Sequence, residues 1–221
     1  MTIETIADMR MLEEYHPLTV RNKEKDLIWL RYIQPHLNGI EEPRILDAGC
    51  LFGDFLTLMP NNIIGVEVIP QAVQTCRERR LNAVVSDLSK RLPFNNDTFD
   101  FIHCWAVVEH LTREANWNAF REFYRILKPD GKLLVMTGDI KKAGIDFMAL
   151  SIDHQTFFSK QSMEEVARLS GFSKLKISHL IFQRGSGVLA KFMTPKNVMR
   201  VQDFYTRIGL TGNDLILEAW K

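Results

Sequence analysis

The sequence predicts an α/β domain: a mostly parallel sheet with helices packed on both faces. Three observations carry that prediction. Five strand-like runs, "RILDAG" (44–49), "NIIGVEV" (62–68), "AVVSD" (83–87), "FDFIHCW" (99–105) and "GKLLVMTG" (131–138), follow one another along the chain. Helix-like segments at 54–59, 70–80 and 114–127 lie between them, and strands alternating with helices imply a parallel sheet covered on both sides. Two further strand-like runs, "KLKISHLIF" (174–182) and "NDLILEAWK" (213–221), surround a helical stretch near 188–207 and bring the strands to seven.

The elements can be justified in order. In "EKDLIWLRYIQPHL" (24–37), Leu27, Ile28, Leu30 and Ile33 fall near one face of an amphipathic helix, with Pro35 marking its end. Ile45 and Leu46 form a short apolar run, as in a buried strand. Asp47 ends it, and Gly49 and Gly53 bracket a turn before a new apolar segment at Phe55. Trp117, Phe120, Tyr124 and Leu127 recur at helical spacing, after which "KPDG" supplies a stop and a turn. Ser162 and Glu165 have capping-box spacing and open a helix that ends at Gly171. No repeat, low-complexity tract or linker interrupts the chain. One globular domain is therefore expected, with residues 1–43 an N-terminal helical segment or lid and 44–221 the main body.

Composition narrows the function classes. The chain has 221 residues, long enough to bury a sizeable core, with 46% hydrophobic and 25% charged residues, as in ordinary soluble globular proteins. A formal net charge of +1 gives no electrostatic case for nucleic acid or an acidic membrane surface. "RERR" (77–80) and the Lys141–Lys142 pair read as solvated faces. No apolar run approaches the roughly 20 residues of a membrane span, and the mixed, partly acidic N-terminus does not read as a secretory signal. Cys50, Cys76 and Cys104 have no CxxC spacing and are odd in number, so a reducing, cytoplasmic setting is expected. No His, Cys or carboxylate cluster shows ligand spacing along the chain, so no metal is expected.

In an open parallel sheet, ligands bind outside the carboxyl ends of the strands. The residues there are Asp47 to Gly53, Glu67, Asp87 and Cys104–Trp105. This set resembles the class I S-adenosylmethionine-dependent methyltransferases, in particular the small-molecule branch that includes the ubiquinone and menaquinone biosynthesis enzymes. "ILDAGCLFG" is similar to the family's opening D-x-G-x-G-x-G. "SDLSKRLPFNNDTFDFIHCWAVVEHL" resembles its acidic loop, the following L-P-F and F-D segment and its E-H-L ending, and "FYRILKPDGKLLVMTG" resembles the lead into its fifth strand. The resemblance covers about 44–137 well and implies a Rossmann-like, seven-stranded, mostly parallel sheet. It also implies S-adenosylmethionine as cofactor and O- or C-methylation of a small-molecule acceptor. The alternative is a catalytically silent adaptor or regulatory protein on the same fold.

The resemblance further implies roles. Asp47 and Gly49 would hold the methionine end, with the loop through Gly53 beneath it. Glu67 would accept both ribose hydroxyls, since a carboxylate's two oxygens suit a vicinal diol. Asp87 would meet the adenine amino group, the backbone N–H of Leu88 a ring nitrogen, and the carbonyl of Cys104 the cofactor's ammonium.

A dinucleotide is the rival ligand, and the turn argues against it. Counted from Gly49, the third and sixth positions hold Leu51 and Asp54 where that fingerprint needs glycine. A pyrophosphate is also repelled by Asp47 and Asp54, which attract a ligand carrying a sulfonium and an ammonium. Leu51 departs from the methyltransferase pattern as well, because leucine resists the left-handed backbone that glycine adopts freely.

Methyl transfer asks mainly for alignment and desolvation. Trp105, Phe147, Phe157 and Phe158 are the candidate walls of an acceptor pocket. If the acceptor is a hydroxyl, His110 and His154 are the candidate bases, with His16, His36, His103 and His179 weaker ones. Residues 138–160, between the fifth strand and the next helix, are expected to arch over the open sheet edge and select the substrate.

Overall fold

The computed structural model describes residues 25–149, 151–180, 194–207 and 212–221. Seven strands form one sheet in the order β3-β2-β1-β4-β5-β7-β6. They are β1 (Ile45–Ala48), β2 (Ile63–Glu67), β3 (Ala83–Val85), β4 (Phe99–Trp105), β5 (Leu127–Gly138), β6 (Lys174–Leu180) and β7 (Asp214–Trp220). Strands β1 to β5 run parallel, while β7 is antiparallel to both β5 and β6. The order reverses between β1 and β4, which places a switch-point crevice at their carboxyl ends. All seven predicted strands are present, and the sheet has the expected Rossmann-like form.

The N-terminal helical segment contains a π-turn, Trp29–Ile33, followed by an α-turn, Gln34–Leu37 (together α1), with Pro35 inside its last turn. It buries Leu27, Ile28, Tyr32, Ile33 and Leu37 against the sheet, so Tyr32 and Leu37 join the predicted face while Leu30 stays partly exposed. Residues 1–24, which include most of the expected lid, lie outside the described residues. The segment expected as a helix at 54–59 is only a 3₁₀ turn, Leu56–Leu58. Helix α2 (Pro70–Glu78) starts with proline at its first position, where no N–H is required, and carries Ala72, Val73 and Cys76 into the core.

Helix α3 (Arg113–Ile126) is capped by Thr112, whose hydroxyl accepts the Ala115 N–H at 3.1 Å. Its buried face is Phe120, Phe123 and Ile126, and Trp117 is 36% exposed on the outer side. The expected "KPDG" turn is absorbed into β5 as a bulge. Leu127 pairs with Phe99 and Lys132 with Phe101, and the extra residues turn through Asp130 at φ 63°. Helix α4 (Ile140–Ala149) follows β5, with its helical path interrupted at Gly144. Helix α5 (Lys160–Leu169) is capped by Ser159 with Ser162 as its reciprocal partner, so the capping box lies three residues before the predicted one. Helix α6 (Pro195–Arg207) falls within the predicted helical stretch.

Two apolar clusters sandwich the sheet. One contains Ile102, Cys104, Phe120, Phe123 and Met163, the other Ile28, Ile33, Phe55, Phe101 and Leu134. Among the described residues, no helix is long and apolar enough to cross a membrane. A hollow of about 230 Å³ lined by His36, Ile40, Asp100, Pro129, Asp130 and Gly131 lies at the amino ends of β4 and β5, remote from the switch point.

Candidate active site

The carboxyl ends of β1, β2, β3 and β4 gather the residues singled out in the sequence. Asp47 ends β1 beside His103 of β4, its register partner, and the His103 Nδ1 lies 2.7 Å from Asp47 Oδ1. Both are buried, at 4% and 3% exposure. The imidazole stacks on Phe55 with ring centroids 4.0 Å apart and planes 11° off parallel. Its other nitrogen, Nε2, is buried without a hydrogen-bond partner among the described residues.

The glycine loop then turns twice through the left-handed region, at Gly49 (φ 79°) and Gly53 (φ 80°), with Leu51 also there at φ 45°. A Cβ at Gly49 would lie 2.3 Å from Val107 Cγ2, so the packing of Val107 is one requirement for glycine at that position. The loop is pinned from outside. Arg79 donates from Nη1 to Phe52 O and, at 3.2 Å, to Asp54 Oδ1, and Lys25 donates to Asp54 O at 3.1 Å.

Glu67, at the end of β2, accepts three backbone N–H groups: Val68 at 2.7 Å and Ile69 at 3.1 Å on Oε1, and Leu51 at 3.0 Å on Oε2. Burial pushes its carboxyl above the ordinary value against those three bonds. A carboxylate offers about four acceptor sites, so one remains for a ribose hydroxyl rather than the two the diol reading asks for. Asp87 is more open, with 32% of its side chain exposed, and it accepts the Ser89 N–H at 2.8 Å and faces Lys90 Nζ at 3.2 Å. Burial acts to raise its carboxyl, but the bonds from Ser89 and Lys90 outweigh this and leave it below the usual range. The Leu88 side chain is in the core. Cys104 is fully buried in β4, which breaks after Trp105 where Ala106 takes φ 54°.

A second group lies beyond β4 and β5. Val108–His110 form a 3₁₀ turn that sets His110 near the 151–156 segment, where Gln155 and Thr156 donate their N–H groups to Glu109 O. His110 Nδ1 is 3.1 Å from Asp153 Oδ2, at contact distance but out of line for a hydrogen bond. Burial lowers the His110 imidazole, opposed by the Asp153 charge and reinforced by His154. Burial acts to raise Asp153, but the Ser151 hydroxyl and the charge of His110 leave it lowered. The His154 ring meets His110 edge to face, with centroids 4.9 Å apart. Glu109 is 3% exposed and accepts the Thr137 hydroxyl at 2.9 Å. Burial lifts its carboxyl to about 7, against bonds from its own backbone and from Thr137, with Asp214 and Asp153 lifting it further.

The two predicted histidines therefore converge, though 44 positions separate them in sequence. Glu109, His110 and His154 also bring ligand-capable atoms within 4.8 Å of one another, a grouping that spacing along the chain could not reveal. Of the four aromatic candidates for the acceptor wall, one is committed to the core. Phe158 is 4% exposed, packed in the core and bridged to Asp139, because it anchors the chain ahead of α5. Trp105 and Phe157 are partly exposed, and the Phe147 side chain lies outside the described residues. Sequence reading gave His103 only a weak claim as a base, without its pairing to Asp47, and missed Glu109 and Asp153. A polar residue inside the apolar run "FIHCW", directly opposite Asp47, was the available signal for that pairing.

Comparison with known proteins accords with this geometry. Residues 46–135 match the methyltransferase domain family. A 95-residue stretch is 35% identical to an uncharacterized protein of Methanocaldococcus jannaschii, covering 42% of this chain and 39% of that protein. The match thus spans less than half the length of that relative. The sheet superimposes on a SAM-dependent methyltransferase from Archaeoglobus fulgidus with TM-score 0.66 at 20% identity, covering 90% of this chain and 94% of the other. A SAM-dependent methyltransferase from Thermotoga maritima, described as a possible histamine N-methyltransferase, gives TM-score 0.65 at 20% identity over 96% and 97% of the two chains. The fold is that of the S-adenosylmethionine-dependent methyltransferases.

Three features of this chain fit that cofactor. Val68 and Val85, beside Glu67 and near Asp87, are 58% and 47% exposed, which leaves apolar surface where a flat ring would lie. Asp47, Glu67 and Asp87 give the edge a negative lining suited to a cationic ligand. The buried His103 Nε2 lacks a hydrogen-bond partner among the described residues.

Proposed function

We propose that the protein transfers the methyl group of S-adenosylmethionine to a hydroxyl on a small polar acceptor, with His110 as general base. The observation that carries this reading is the pairing of His110 with Asp153 beside His154 at the open edge of the sheet. When bound, the cofactor supplies an electrophilic methyl group. The work left to the chain is to orient the acceptor, exclude water and remove one proton.

Because Asp153 faces Nδ1, the base is the His110 Nε2 atom. Once Nε2 has taken the acceptor proton, the imidazolium is stabilised by the Asp153 carboxylate. Asp47, Glu67, Asp87 and the backbone of Gly49, Leu88 and Cys104 would hold the cofactor. The acceptor mouth is more polar than the sequence suggested, which favours a hydroxylated acceptor over a purely apolar one. The resemblance to the ubiquinone and menaquinone enzymes makes a phenolic hydroxyl the first to try. Three free, buried cysteines are in keeping with a reducing setting such as the cytoplasm.

Isotopic methyl incorporation across metabolite pools tests this reading. Incorporation by the wild type, cut about 10²-fold or more in His110→Ala with cofactor affinity unchanged, supports it. An unchanged rate removes His110 as the base. One observation favours the adaptor alternative: Glu67 is already engaged by three backbone N–H groups. Absence of cofactor binding by the folded protein would favour that reading.

A further inference from the structure

We infer that His103, held by Asp47, is a positioning residue that anchors the amino-acid end of the cofactor through its Nε2 atom, a role that rests on the function proposed above.

The argument starts from an anomaly. Buried polar atoms in folded proteins almost always have partners, and an exception calls for an explanation. Among the described residues His103 Nε2 is buried and has none, on a side chain that is 3% exposed. The rest of the ring is fully specified. Nδ1 lies 2.7 Å from Asp47 Oδ1, and an ionised carboxylate only accepts, so the proton between them sits on Nδ1. In the neutral ring, Nε2 is then a bare acceptor. Phe55, stacked at 4.0 Å, covers a face of the imidazole.

The missing partner must therefore be a hydrogen-bond donor. The dyad sits under the glycine loop, since Asp47 precedes Gly49 by two residues and His103 precedes the end of β4 by two. With the imidazole neutral, the Asp47 carboxylate leaves the pair negative, which favours a cation. An ammonium meets both requirements, because it donates three hydrogen bonds and accepts none. On this view Asp47 helps hold the methionine end through His103. It fixes the tautomer and orientation of His103, as the outer partner of a histidine commonly does.

Two ligands that differ only at that end provide the test. S-adenosylhomocysteine and 5′-methylthioadenosine are both uncharged at sulfur, and only the first carries the amino-acid group. Calorimetry on the full chain should show His103→Phe, which keeps an aromatic ring against Phe55, weakening S-adenosylhomocysteine about 10-fold or more while changing 5′-methylthioadenosine less than about twofold. Equal loss for both ligands would overturn the proposal and leave His103 a structural residue. Failure of the wild type to bind either ligand would overturn the cofactor reading, and this proposal with it. Nitrogen-15 spectra of the wild type give an answer even if the variant does not fold. The Nε2 resonance of His103 should move with S-adenosylhomocysteine and stay in place with 5′-methylthioadenosine, and the same response to both would overturn the assignment.

Discussion

The backbone N–H of Leu51 lies 3.0 Å from Oε2 of Glu67, so the residue that breaks the glycine pattern is tied to the carboxylate at the end of the neighbouring strand. The loop reaches its left-handed turn with a leucine at φ 45°, a conformation that costs a non-glycine residue about 1–2 kcal/mol. The bond to Glu67 offsets part of that cost. Leu51→Gly removes the strain but also removes half-buried side-chain surface, and the two should nearly cancel, leaving the thermal midpoint within a few degrees. Leu51→Ile keeps the apolar surface and adds β-branching, which tolerates positive φ least, so it should destabilise by about 1–2 kcal/mol in urea melts. Equal midpoints for the glycine and isoleucine variants would show that backbone strain at this position is negligible.

Glu67→Gln tests the same junction from the other side. The amide oxygen can still take the Val68 and Ile69 N–H groups, but its nitrogen cannot accept from Leu51. A loss of about 1–3 kcal/mol in stability is expected, together with weaker cofactor binding by calorimetry. A variant as stable as wild type would mean the Leu51 bond contributes nothing.

Glu109 predicts a pH dependence. Its folded value is about 7, mainly because of burial, against an unfolded value of 4.5. The native state therefore holds this proton where the unfolded state has released it. The contribution is fully present below pH 4.5 and is lost as pH rises through about 7, amounting to roughly 3 kcal/mol across that window. Glu109→Gln, which can still accept from the Thr137 hydroxyl, should gain stability relative to wild type at pH 8 and match it near pH 4.5. Parallel unfolding curves at both pH values would contradict a buried, protonated carboxyl.

The sheet was legible because its strands are short apolar runs separated by glycine, proline and polar turns, and nothing later in the chain competes with that pattern. What misled was local. The "KPDG" turn became a bulge because Leu127 already pairs with Phe99 before the chain turns, so hydrogen bonding to β4 overrides the turn residues. The capping box moved to Ser159 because Phe158 is drawn into the core and fixes where α5 begins. At the site, acidic strand ends could be read directly, whereas Asp47–His103 and His110–Asp153 depend on register and loop closure across 56 and 43 residues. Such pairings leave no periodic trace.

Lys132 and Glu218 form a buried pair across β5 and β7 at 2.5 Å, and Lys132 also donates to Tyr32 O at 3.1 Å, which ties α1 to the sheet. Burial lowers the lysine, opposed by Glu218. Lys132→Met leaves the buried Glu218 carboxylate with the more exposed Lys176, 3.0 Å away, as its remaining cation and should cost about 3 kcal/mol. Adding Glu218→Leu removes the stranded charge and should recover most of that loss. A double variant no better than the single one would place the penalty in lost packing around Tyr32 and Trp220 instead.

Catalysis carries its own pH signature. Burial holds His110 below the ordinary imidazole value, and Asp153 raises it part of the way back. The acid limb of kcat against pH should therefore fall below pH 6.5, leaving the base unprotonated at neutrality. Asp153→Asn removes the charge that favours the imidazolium, with two expected consequences. The acid limb moves to still lower pH, and the plateau rate drops about tenfold because a weaker base takes the proton less readily. His154→Ala removes a neighbour that also lowers His110, so its limb should move the opposite way, toward higher pH. These opposite displacements distinguish a base from a bystander, since a residue acting only on packing would change the rate without moving the limb. If the limb stays fixed in both variants, the proton is taken by another group.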